Sequence, residues 1–263
     1  MKRIKVLIFV VIWAIGWVLA KSIVGDSPEP EGQPQTEETH SQAPESPRAH
    51  LETAAGELYP LGFSRSGAFA YLRQYDIGGP CGFCPRYDLV ILSTVTDEIL
   101  YRQSFDALTE ADSGEAALSI DDFWHLERET LQGQLTSHEI ATDSPVTFGP
   151  LPFAADGRTY QIKVHADTTT LAWSPYEAPI SLDVEAIVSV RIEATASNMG
   201  RKLIHRWNRP PDGRIVTGLS LVASVRSPFE PRAAIILERQ YKGAEEEAFE
   251  VYVVGMHLTR GFK

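Results

Sequence analysis

The chain has 263 residues, with 35 acidic against 24 basic side chains for a formal net charge of −11, and two cysteines. A field of that sign disfavours nucleic acid and anionic membrane surfaces as partners of the folded part. Two cysteines are too few for a disulfide scaffold, so a hydrophobic core must carry the stability.

The first 20 residues, MKRIKVLIFVVIWAIGWVLA, place Lys2, Arg3 and Lys5 ahead of fifteen apolar or small residues. This is the basic and apolar order of an export signal, and Val18-Leu19-Ala20 has the small-residue spacing that a signal peptidase accepts. The alternative is an uncleaved anchor. Fifteen residues fall short of the ~20 needed for a span, although Ser22 to Gly25 extend the segment past Lys21. In both readings the positive end stays inside and the rest is exported, so residues 1–25 form a signal peptide or an N-terminal membrane anchor in contact with the membrane. Residues 26–50, DSPEPEGQPQTEETHSQAPESPRAH, contain no aromatic or β-branched aliphatic residue. Such a stretch cannot bury enough surface to offset its ordering entropy and reads as a disordered, acidic, Pro-rich linker.

Residues 51–263 read as one β-rich extracytoplasmic domain. LYPLGF (58–63), AFAYL (68–72), YDLVIL (87–92) and ILYR (99–102) are short apolar runs separated by the turn SRSG (64–67), a cysteine loop and Asp97-Glu98. They predict an antiparallel meander, with 87–92 central because it is apolar on both faces. LGFSRSGAFAY (61–71), followed by 87–92 and Thr96-Asp97, resembles one blade of the TolB-type and WD-type β-propellers. It also resembles a group of predicted secreted bacterial proteins of unknown function that open with such a segment. Arg65-Ser66 stands where the blade pattern has Pro-Asp. The likeness covers about 50 residues, whereas a closed propeller needs four or more blades. It implies one blade-like sheet in an exported protein and attaches no activity.

Within the meander, GGPCGFCPR (78–86) holds Cys81 and Cys84 at the spacing of thiol-redox sites. That chemistry needs a thiolate lowered in pKa, usually by a helix N-terminus. Here Pro80, Pro85 and two glycines surround the pair and a strand comes next. Zinc would need two more ligands, and His125, His138, His165, His205 and His257 are dispersed. The expectation is a structural disulfide between Cys81 and Cys84, with no metal; a thiol–disulfide oxidoreductase using the same pair is the alternative.

A helical insertion is expected at about 109–138. Ser119-Ile120-Asp121-Asp122 has the form of a capping box with Asp in place of Glu. Ile120, Trp124, Leu131 and Leu135 then share a face, and 110–118 reads as an earlier helical turn. From 180 to 194 every even position is apolar, but fifteen residues would extend about 50 Å, so a bulge should divide the strand. Further strands are expected at 214–225, 232–240 and 249–256. The fold class is therefore mainly β: a blade-like meander plus a second antiparallel sheet with one helical insertion, β-sandwich-like or an incomplete propeller.

RKLIHRWNR (201–209) is the one basic, aromatic-containing stretch. Arg201, Lys202, Arg206 and Arg209 are candidates for an anionic-ligand patch; otherwise the stretch is a strand with alternate residues in water and Trp207 packed. No nucleophile elbow is present, since Ser66 stands where its second Gly belongs. His138-Glu139 lacks the second His of a zinc protease, and Asp121-Asp122 is accounted for by capping. No catalytic residue and no cofactor are assigned. The sequence points away from an enzyme and towards an exported binding or structural module of the cell envelope, with an unknown envelope or extracellular partner.

Overall fold

The computed structural model describes residues 46–47, 49–76, 85–111, 114–174, 182–208, 210, 213–243 and 247–263. Strands β1 (Leu51–Thr53), β2 (Gly56–Phe63), β3 (Ala68–Asp76), β4 (Pro85–Ser93) and β5 (Ile99–Asp106) pair antiparallel in chain order; β2 to β5 are the four strands that the meander pattern predicts, and β1 adds a fifth at the edge. β4 is buried on both faces. Tyr87, Leu89 and Ile91 enter one core, Val90 and Leu92 another.

Residues 110–118 are not helical. β6 (Leu108–Ala111) and β7 (Gly114–Ala117) form a two-stranded hairpin, and Ala107 ties its base to Pro85 and Leu118 through backbone bonds. Among the described residues the helices are confined to α1 (Ile120–Leu126) and α2 (Arg128–Ser137), which break at Glu127. Ser119 caps α1 as expected: its Oγ accepts from the Asp122 amide at 3.2 Å and bonds Asp122 Oδ2 at 2.6 Å. Trp124, Leu131 and Leu135 are buried on the first face of the meander, with Ile120 at the margin. Phe123, which the four-residue spacing does not pick out, stacks on Tyr87 at 4.0 Å and meets Phe105 edge-on at 5.4 Å.

The rest of the chain forms two sheets where the sequence suggested one. β8 (Phe148–Gly149), β13 (Val216–Arg226), β14 (Arg232–Lys242) and β15 (Glu247–His257) are ordered β15-β14-β13-β8. β9 (Phe153–Ala155), β10 (Arg158–Trp173), β11 (Leu182–Ala196) and β12 (Gly200–Trp207) are ordered β12-β11-β10-β9. The sheet containing β14 is the middle layer. Ala234 and Ile236 pack with Phe63, Phe69 and Val90 of the meander, while Ala233, Ile235 and Leu237 pack with Tyr160, Val190 and Ile192 of the third sheet. The fold is thus a helix layer and three antiparallel β-layers. The alternation of an antiparallel strand with both faces covered sets it.

The expected division of the long strand is present. The β10–β11 register shifts between Asp167 and Thr168 and leaves Val188 unpaired, so Ala186 and Ile187 are buried consecutively. Residues 165–172 of β10 are exposed on both faces, and a strand with no buried face shows no alternation. At the other end of the domain, the stretch read as linker docks in its last residues. The Ser46 hydroxyl bonds the Asp121 carboxylate, and the His50 ring lies 5.9 Å from that of Tyr59. Residues 1–25, read as signal or anchor, lie outside the described residues. Among those described, no helix is long and apolar enough to cross a membrane.

Candidate functional site

A cleft of about 890 Å³ opens at one end of the boundary between the meander and the middle sheet. The turn between β1 and β2 (Thr53 to Gly56) forms one wall. Arg73, Tyr75 and Asp76 of β3, Arg102 of β5, Arg214 and Tyr241 line it further, and residues 247–250 of β15 close it. The position comes from strand parity. Phe69, Tyr71, Val90 and Leu92 belong to the core between the two sheets. Arg73 and Asp88 continue the same rows by two residues towards the strand ends, where apolar filling gives way to charge.

Each charge there is held by named partners. The Asp88 side chain is only 1% exposed. It accepts Arg102 Nη2 at 2.6 Å and Nε at 3.2 Å, Ser104 Oγ at 2.6 Å and the Tyr75 hydroxyl at 3.1 Å. A carboxylate taken out of water needs such saturation. Burial and then Asp88 raise the pKa of Tyr75. Burial works against the charge of Arg102, but the bond and charge of Asp88 together with Tyr75 and Tyr71 outweigh it and the net shift is upward. Glu250 accepts Arg239 Nη2 at 2.5 Å and Arg214 Nη2 at 2.6 Å. Burial alone would raise its pKa; the bonds and charges of Arg239 and Arg214 bring it below the ordinary carboxylate value.

Arg73 differs from its neighbours. It is 8% exposed and faces Asp88 in the β3–β4 register, yet its guanidinium turns to backbone. Nε donates to the Ala55 carbonyl at 2.6 Å and Nη2 to that of Phe249 at 3.2 Å, with the Tyr75 ring stacked at 4.2 Å. No carboxylate among the described residues lies within ion-pair distance of it.

A second polar cluster joins all three sheets. Asp97, at φ +62° in the turn between β4 and β5, accepts the Gly255 amide at 2.7 Å through Oδ1. Its Oδ2 lies 2.9 Å from His205 Nδ1, and His205 Nε2 lies 2.6 Å from the Tyr252 hydroxyl. Burial and Asp97 push the Tyr252 pKa up to about 12. Asp97 comes from the meander, His205 from the third sheet, and Gly255 and Tyr252 from the middle one, so the chain of bonds acts as a latch between sheets.

Among the described residues of the basic stretch, Arg201 and Arg206 share the outward side and Lys202 turns the other way. On the edge strand β12, Arg201 and Arg206 pair with the outward positions Thr195 and Arg191, whereas Lys202 pairs with inward Ala194. Lys202 Nζ bonds the carbonyls of His257 and Arg260 and lies 4.9 Å from the Phe262 ring; burial and then Arg232 lower its pKa to about 8. Arg206 Nε donates to Asn208 Oδ1. Arg209, Cys81 and Cys84 lie outside the described residues. Among those described, no three His, Cys, Asp or Glu side chains stand together as a metal site. Sequence reasoning missed the cleft, although a signal existed: Asp88 interrupts YDLVIL and Arg239 comes shortly after AAIIL. Ionised residues in otherwise apolar strands are rarely buried unless paired.

Comparison with protein-family models, with curated proteins and with solved structures found no match for the chain. The blade-like likeness of the first strands therefore rests on its own residues.

Proposed function

We propose that this protein is an exported, non-enzymatic binding module of the cell envelope, with the arginine-rich cleft as its ligand site. The supporting observation is a concave space of about 890 Å³ whose charged walls are pinned by cross-strand ion pairs. Its size is that of small-ligand pockets, and rigid polar groups in a fixed frame suit recognition. Asp88 is saturated by four bonds, and Glu250 is held ionised by two arginines. Carboxylates so committed serve recognition better than proton transfer, which needs a pKa near the working pH. The basic and apolar first 25 residues support export, and the acidic net charge argues against nucleic acid.

The test blocks the cleft at its wall. Ala54 is exposed and lines it, so Ala54→Trp should fill the mouth and leave the core intact. Thermal unfolding with a panel of small acids, amines and neutral sugars should give at least one class that raises the melting temperature of the wild type and not of the variant. Equal shifts in both proteins, or no shift with any class, would refute the cleft as a ligand site.

We also propose that Cys81 and Cys84 are joined and only fasten their loop. Unreduced, denatured protein should titrate no free thiol. Replacing both by Ser should cost about 1–2 kcal/mol, because a four-residue ring removes little chain entropy and Pro80 and Pro85 restrict the loop already. Two titratable thiols per chain would refute the bridge, and insulin reduction lost in Cys81→Ser would make the pair a redox site.

A further inference from the structure

We propose that the cleft takes its ligand through a single carboxylate, received end-on by the Arg73 guanidinium, with the ligand's apolar body lying among Tyr75, Tyr241 and Phe249. This rests on the reading of the cleft as a ligand site.

A guanidinium has five N–H donors in a planar fork. Arg73 uses two, on the Ala55 and Phe249 carbonyls, one from Nε and one from Nη2. Both hydrogens of Nη1 and the second of Nη2 have no acceptor among the described residues. The remaining Nη1–Nη2 edge is the one that matches a carboxylate with two parallel bonds. The carbonyls and the Tyr75 ring fix the plane of the fork before any ligand arrives, so little side-chain entropy is lost on binding. Arg102 and Arg214, by contrast, already hold Asp88 and Glu250. Among the described residues Arg73 is the cation of the cleft whose direct contacts are carbonyls and a ring face, with no carboxylate within ion-pair distance.

The surroundings set the charge of the ligand. Asp76 and Glu247 also line the cleft, and a doubly charged phosphate would meet both as like charges. One negative charge answers Arg73, which has no carboxylate partner among the described residues. The aromatic side chains provide the contact area for an apolar or aromatic body.

The experiment titrates the full exported chain, by calorimetry, with phenylacetate, its neutral amide phenylacetamide, benzylphosphonate and phenethylamine. Phenylacetate should bind about tenfold or more tighter than each of the others, since loss of a bidentate charged pair is a large fraction of a small ligand's affinity. Arg73→Lys keeps the charge but loses the fork, and should weaken phenylacetate by a similar factor while circular dichroism stays unchanged. Ala54→Trp should abolish binding. Equal affinity for acid and amide, tighter binding of the phosphonate, or an unaffected Arg73→Lys variant would overturn the proposal. Binding of phenethylamine or phenylacetamide alone would overturn it and leave the cleft as a ligand site; no binding by any of the four, with no shift across the wider panel, would remove both readings.

Discussion

Replacing Glu250 by Ala should lower the unfolding free energy by about 3 kcal/mol, the low end of the cost of removing one member of a buried ion pair. The loss comes less from the missing attraction than from the charge left behind. Arg239 is 5% exposed, and its guanidinium lies 5.5 Å from the Tyr252 ring, with Glu250 as its cross-strand partner. Without the carboxylate a charge stays in a poorly solvated place. The double variant Arg239→Met/Glu250→Leu should recover part of the loss, because the most buried guanidinium goes with its carboxylate, while Arg214, which also bonds Glu250, is 37% exposed and keeps contact with water. Denaturant midpoints of the three proteins check this. The effect also has a pH signature. The folded pKa of Glu250 lies below its ordinary value, since the arginines outweigh burial. Its contribution is then full above the unfolded pKa of about 4.3 and disappears as pH falls through the folded value. Wild type and Glu250→Ala should converge in stability on acidification below about pH 4. A gap that persists there would mean that packing, and not the ion pair, carries the effect.

Gly255→Ala should be at least as damaging, by about 3 kcal/mol. An added Cβ would sit 1.9 Å from the Thr94 carbonyl oxygen and 2.3 Å from its carbon. The turn cannot give way cheaply. Thr94 is tied to the Gly67 carbonyl through its amide at 2.9 Å and its hydroxyl at 2.7 Å, and its own carbonyl accepts from Arg232. Displacing it would also pull Asp97 from the Gly255 amide and from His205, breaking the bonds that join the three sheets. Gly133→Ala is the control: the site is exposed, inside α2, with nothing within 4 Å of an added Cβ. There the same substitution should stabilise by about 0.5–1 kcal/mol through helix propensity. Melting curves of both variants measure the contrast.

The legibility of each element in the sequence tracks how much of it is buried. Four strands of the meander are short, apolar and bounded by turn residues, so their pairing can be read from pattern; β1, three residues of LET with no buried position, leaves no such mark. β10 is hidden because half of it has no core to face. The β6–β7 hairpin is misread because TEADSGEAA is rich in the helix formers Ala and Glu, and pairing prevails over that weak preference. AAIIL carries the same unbroken apolar signature as the LVIL of β4, which marks β14 as covered on both sides, but nothing local says by which sheets. The basic stretch of β12 breaks up for a similar reason. A register shift between Ile192 and Glu193 alters which of its residues face inward, and only pairing reveals that. The cleft is the least legible part, since Arg73 and its contact at Phe249 are 176 positions apart.

The position of the middle sheet has a consequence for how the molecule comes into being. Its strands β13, β14 and β15 are synthesised well after the meander, yet they cover the face formed by Phe63, Phe69, Tyr71 and Val90. The meander can pair as soon as it emerges, but one of its apolar faces stays wet until the final third of the chain arrives. Closure over so long a separation is entropically slow, and the waiting surface is sticky. A chain of this design has to keep that face from its neighbours until β13 to β15 arrive, so maturation is timed by the later strands and not by the meander.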